Sequence, residues 1–176
     1  MPRELNRRKL LGACLVAAPY WVLGERLLLT PAEAVALEFT PEVLSRSQLN
    51  MIEMAAEQLV PGSVEAGIAA YLDAQLQANN DSLLIGKYLG VDISGQVAFY
   101  ESLARNLQKV LEPEQSISEV ISTLWTDSHA DWEGPPASYM LFVLRADALD
   151  VTYGTPEGFE RLGIPYMAHI MTEQPW

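Results

Sequence analysis

Cysteine is nearly absent from this chain: Cys14 is the only one among 176 residues, and histidine is limited to His129 and His169. One cysteine closes no internal disulfide, and thiolate zinc sites, iron–sulfur clusters and covalent c-type haem all need more. Glycine-rich signatures are missing as well. No G-x-G-x-x-G, G-x-x-x-x-G-K-[ST] or G-x-S-x-G occurs, which removes the usual dinucleotide and nucleotide cradles and the nucleophile elbow. Basic residues are scarce, with eleven Lys and Arg against twenty-three Asp and Glu and a net charge of -12. Five of those bases (Arg3, Arg7, Arg8, Lys9, Arg26) lie in residues 1–36 with three acids, so residues 37–176 carry six bases and twenty acids. An acidic body repels nucleic acid and anionic lipid. The longest apolar run, Leu10–Gly24, contains Pro19 and is ended by Glu25 and Arg26, short of the roughly 20 residues of a membrane-spanning helix.

What the N-terminus does contain is Arg7-Arg8 followed by Lys9-Leu10-Leu11 and that apolar run. This looks like a twin-arginine export signal, although Asn6 stands where Ser or Thr is usual. Ala32-Glu33-Ala34 and Ala34-Val35-Ala36 offer small-residue cleavage sites. The expectation is a removable address over residues 1–36 and a periplasmic domain over 37–176, with a general secretory signal or an uncleaved anchor as the alternatives. Leu11-Gly12-Ala13-Cys14 has the residue types of a lipoprotein box, but Lys9–Ala13 is shorter than the roughly 7–15 residues of an export h-region. Cleavage after Ala34 or Ala36 leaves a mature chain without cysteine.

The remainder is punctuated as helices. Ser45 and Gln48 have capping-box spacing, Leu49, Ile52, Ala56 and Leu59 recur at steps of three and four, and Pro61-Gly62 ends the segment, predicting a helix over 46–60. A second follows Gly67 through Ile68, Leu72 and Leu76 to the turn signal Asn79-Asn80-Asp81. Asp92 caps a third, with Ile93, Val97, Tyr100, Ala104, Leu107 and Leu111 on one face and Pro113 as its stop. Ser116 and Glu119 open a fourth, and a largely apolar fifth, buried on more than one face, runs from Ala137 to Val151. Trp125–Pro136 reads as a loop and the Gly- and Pro-rich end from Tyr153 as an irregular strap. The fold class expected is all-α, a bundle of about five helices with a C-terminal strap and no convincing strand.

Candidates for chemistry are few. Asp127, His129 and Asp131 stand at alternate positions and suit a divalent metal if the loop is extended. The competing reading is a solvated loop, since no further ligand lies nearby in sequence. Arg145, Asp147 and Asp150 have the spacing of an exposed helix face with local pairing. Trp125, Trp132, Tyr139 and Trp176 are either core residues or interface anchors.

Several segments together resemble the gluconate 2-dehydrogenase subunit 3 family: "RRKLL", "LSRSQLNMIEMAAEQLVPGS", "GIAAYLDAQL", "FYESLARNL", "ASYMLFVLRADALDVTYG" and "ERLGIPYM". The resemblance spans nearly the whole chain. It implies a non-catalytic helical subunit exported by the twin-arginine route. The implied partner is a large flavoprotein dehydrogenase of the glucose-methanol-choline type, which holds FAD, often with a cytochrome c subunit carrying haem. This chain has Tyr153-Gly154-Thr155-Pro156 where many members have a longer "YGGN" segment, and Pro165-Tyr166 where they have Pro-Gly, so the partner's substrate stays open. The partner-binding set expected is the late aromatic and apolar one: Trp125, Trp132, Tyr153, Phe159, Ile164 and Tyr166. The alternative function is a free-standing periplasmic metal-binding protein or enzyme built on Asp127, His129 and Asp131.

Overall fold

The structure is a computed structural model that describes residues 17–78, 83–112, 114–126 and 129–164. Arg7, Arg8, Asp127, Tyr166, His169 and Trp176 lie outside them. The described chain is mostly helical, with one small sheet where none was expected. β1 (Ala18–Val22) and β2 (Glu25–Leu29) pair antiparallel, Tyr20 opposite Leu27. Leu23 and Gly24, with φ of 50° and 83°, form the two-residue turn, and two positive φ values give a hairpin the twist its strands need. β1 turns Ala18, Tyr20 and Val22 inward and Pro19 and Trp21 outward. Both faces being largely apolar, the period of two disappears into what reads as one hydrophobic run.

Thr30 then caps α1 (Pro31–Ala36) in a reciprocal box with Glu33. The five long helices stand where capping and periodicity put them: α2 (Arg46–Leu59), α4 (Ile68–Ala78), α6 (Ile93–Val110), α7 (Ile117–Thr126) and α8 (Ala137–Tyr153). Short helices absent from the sequence reading fill the corners: α3 (Ser63–Ala66), α5 (Leu84–Lys87) and α9 (Pro156–Arg161). The strap expected from Tyr153 onward therefore begins with a helical turn, capped by Thr155, whose hydroxyl accepts the Gly158 N–H at 3.0 Å.

α4 is the central element. Ile68 through Ala74 and Leu76 are all buried, and the helix touches β1, α1, α2, α6 and α8. Its one acid, Asp73, is 3% exposed and accepts the backbone N–H groups of Glu42, Val43 and Leu44 at 2.7, 3.0 and 2.8 Å. Those three donors belong to the segment that turns into α2, so one carboxylate fixes the angle between two helices. At the far end of α2, Glu57 does similar work, accepting Gly62 N–H at 2.8 Å and Val64 N–H at 3.0 Å across the turn into α3. Its carboxyl is accordingly held below the usual range, the hydrogen bonds outweighing partial burial.

The boundary drawn after residue 36 does not coincide with a break in the packing. Tyr20 meets Phe39 edge-on with ring centroids 5.8 Å apart, Ala34 is 0% exposed, and α1 lies against α4.

Candidate functional site

A buried carboxyl joins α5, α6 and α8. Asp147 is 0% exposed, which corrects its expected place on a solvated helix face. One carboxylate oxygen accepts the Tyr100 hydroxyl and the other the Leu84 N–H at 3.0 Å, at the start of α5. Burial pushes the Asp147 carboxyl up to about 6, against the pull of those two donors, and the charge of Asp150 adds to the rise. Asp150 is itself raised by partial burial, opposed by Lys87. The Tyr100 and Tyr71 hydroxyls are raised by burial and then by Asp147. Arg145, by contrast, is exposed as expected. Asp147 has the raised pKa often seen in catalytic acids, but it is sealed in the core with its oxygens engaged by Tyr100 and Leu84. The arrangement locks three elements.

An open cleft of about 460 Å³ lies between α1 and α2. Val35, Glu38, Arg46 and Glu53 are among its lining residues. The Arg46 guanidinium donates to the Phe39 carbonyl and lies 4.8 Å over the Phe39 ring. Glu53 is raised by partial burial, with Arg46 pulling it down. Two acids beside one committed base make a poor anion site.

The loop singled out for metal chemistry is folded onto α6. Asn106 donates to the Glu133 carbonyl at 2.8 Å and accepts the Glu133 N–H at 3.1 Å, a two-way amide clamp. Lys109 pairs with the Glu133 carboxylate at 2.7 Å and holds its carboxyl below the usual range. His129 Nδ1 accepts the Asp131 N–H at 3.2 Å and lies 3.9 Å from the Asp131 carboxylate. Among the described residues no three His, Cys, Asp or Glu side chains converge on a point. Asp127, the third member, is outside them.

The aromatic set expected to bind a partner divides between two ends of α8. Trp132 is half-buried, its indole N–H donating to the Pro135 carbonyl at 2.8 Å just before the helix begins. At the other end Tyr153 packs against the core, and α9 lies so close that a Cβ on Gly158 would stand 2.5 Å from the Thr152 carbonyl oxygen. Phe159 is half-buried there, its carbonyl accepting the N–H of exposed Ile164 at 3.2 Å. Trp125, partly exposed, closes α7.

Between those ends runs a feature the sequence reading did not isolate. Tyr139, Phe142 and Leu149 are exposed, with Ala146 and Tyr153 half-buried on the same line, at steps of three, four, three and four. α8 thus has two apolar faces: Met140, Leu141, Val143, Leu144, Ala148 and Val151 pack the core while the second stripe faces outward. The expectation that it is buried on more than one face is half met. Tyr139 also reaches Phe99, ring centroids 6.1 Å apart, so the stripe is braced from beneath.

No family model, curated protein or solved structure matches the chain. Among the described residues no helix is long and apolar enough to cross a membrane.

Proposed function

We propose that the chain is the non-catalytic small subunit of a periplasmic flavin-dependent sugar or sugar-acid dehydrogenase complex, similar to gluconate 2-dehydrogenase subunit 3. It escorts and stabilises a large flavoprotein that holds FAD and carries out the oxidation. A cytochrome c subunit with haem takes the electrons at the periplasmic face of the inner membrane. The address at Arg7 and Arg8 serves both partners, because the twin-arginine route carries folded proteins and a flavoprotein must take up FAD before export.

The observation that carries this reading is the outward stripe Tyr139, Phe142 and Leu149 on α8. At about 1.5 Å per residue the line from Tyr139 to Tyr153 extends roughly 21 Å. An apolar line of that length on a helix surface suits a groove or helix of a protein partner. Trp132 lies just before α8 begins, and Phe159 and Ile164 lie just beyond its end.

The test is co-expression with a candidate flavoprotein lacking an export signal, followed by fractionation. Arg7→Lys/Arg8→Lys is expected to leave both chains in the cytoplasm. Phe142→Glu is expected to export the small subunit alone. Undiminished flavoprotein in the periplasm with both variants overturns the escort reading. Metal analysis of the purified chain tests the alternative on Asp127, His129 and Asp131, for which the subunit reading expects no stoichiometric metal.

A further inference from the structure

We infer that residues 18–36 are the first structural layer of the mature domain, and that any processing of the N-terminus leaves them in place. Both small-residue cleavage motifs, Ala32–Ala34 and Ala34–Ala36, fall inside α1. A peptidase binds its substrate extended and accessible, and susceptibility follows from the burial and hydrogen bonding of the backbone it must grip. Here that backbone is helical, capped at Thr30, and closed by the Phe39 N–H donating to the Ala34 carbonyl at 3.0 Å. Ala34 itself has no exposed surface. The alanines that match a cleavage pattern are also what a short helix pressed against α4 requires.

The hairpin upstream is tied to residues beyond the supposed cut. The Thr40 N–H donates to the Trp21 carbonyl at 2.7 Å, extending β1 by one bridge. The Trp21 indole N–H donates to Glu42 at 3.1 Å, and Arg26 pairs with the same carboxylate at 3.7 Å. Tyr20 and Val22 lie in the core beside Phe39. The far side of the joint is shaped to match. At Gly67, where φ is 89°, a Cβ would stand 2.4 Å from the Pro31 carbonyl carbon. The approach of α1 therefore needs glycine there for space as well as for its backbone angle. Loss of residues 18–36 would uncover part of α4, the most buried helix in the fold.

An export signal remains possible without them. Residues 10–17 are an uninterrupted apolar stretch apart from Gly12, within the roughly 7–15 residues of an h-region. The twin-arginine route also presents a folded chain to the processing enzyme, so a site closed by folding stays closed.

The inference rests on the export reading only for the compartment, and two measurements on the full-length chain keep the two apart. Intact mass of the protein recovered from any fraction is expected to include Tyr20 and Trp21. A mass beginning at residue 35 or 37 overturns it. Hydrogen exchange on the same material is expected to show the Thr40, Phe39 and Leu37 amides protected together with those of α4. Exchange of these amides at the free-chain rate, beside a protected α4, overturns it even if the protein is never exported. Recovery only from the cytoplasm, with the amides protected, fails the export reading and leaves the inference standing.

Discussion

Two aspartates among the described residues lie in the interior, each on a long apolar helix and each holding a neighbouring segment by its backbone. Asp73 on α4 receives three peptide N–H groups in succession, from Glu42, Val43 and Leu44. Asp147 on α8 receives one, from Leu84, and a phenol, Tyr100. Three peptide donors aimed at one carboxylate recreate much of what water provided. One peptide and one hydroxyl do so less completely, and the remaining desolvation appears as the upward displacement of the Asp147 carboxyl to about 6. The number and kind of donors sets how firmly a buried acid holds its segment, and at Asp147 burial outweighs its two donors.

Removing the better-supplied acid is expected to do the most damage. Asp73→Ala leaves three peptide donors without an acceptor, one buried and two part-buried, and loosens the entry to α2, a loss of about 3 kcal/mol by urea unfolding. Asp73→Asn keeps one acceptor oxygen but turns an amide against a peptide N–H, and should fall between the two. If Asp73→Ala costs less than about 1 kcal/mol, the contrast between the two acids does not hold.

Neither joint was legible in the sequence, and the reason is separation. Asp73 reaches residues 29–31 positions back, and Asp147 reaches Tyr100 and Leu84 across 47 and 63 positions. Local spacing placed Asp147 with Arg145 and Asp150 because nothing local points inward. The long helices were legible because their signals are local: the boxes at Ser45–Gln48 and Ser116–Glu119 both close, and Asp92 accepts the Gly95 N–H. Short α9 has a local signal, Thr155 followed by Pro156, but it is outweighed in the sequence by the Gly- and Pro-rich composition around it. The hairpin was hidden by its own composition. Leu23-Gly24 replaces the usual Asn-Gly, and a strand with Trp21 outward and Tyr20 inward looks uniformly hydrophobic. For the candidate surface, the richness of α8 in apolar residues was visible, but which of its two faces meets the core depends on where α6 and α7 lie.

The second prediction exploits the pH response. The folded-state constant of Asp147, about 6, lies above the roughly 3.9 of an unfolded aspartate. The folded chain therefore binds more protons between those values, and Asp147 makes stability fall as pH rises from about 4 to about 6. The contribution is present in full below the unfolded constant and lost above the folded one. Its size is about 3 kcal/mol. Carboxylates displaced downward, such as Glu57, act in the opposite direction, so the observable is the difference between the native chain and Asp147→Asn. That difference is expected to change by about 3 kcal/mol over this window and to be flat above pH 7. A difference independent of pH would mean that the two donors of Asp147 offset its burial in full.

The smallest effect separates the two donors of Asp147. In Tyr100→Phe the Leu84 N–H remains and only the phenol is lost. With Asp147 ionised, near pH 7.5, the loss is that of a hydrogen bond to a charged group, about 1.5 kcal/mol. Near pH 4.5 the carboxyl is largely neutral, and the loss should shrink to about 0.5–1 kcal/mol, the worth of a neutral pair. Since the Tyr100 hydroxyl holds the carboxyl constant down, its removal should also move the titration upward, detectable by carbon NMR of the labelled carboxyl. The sign follows from the same count of donors: a carboxylate left with one peptide N–H is further from water's supply than one with two partners. An unmoved titration would place control of Asp147 in burial alone, and would remove its donors as the explanation for where it titrates.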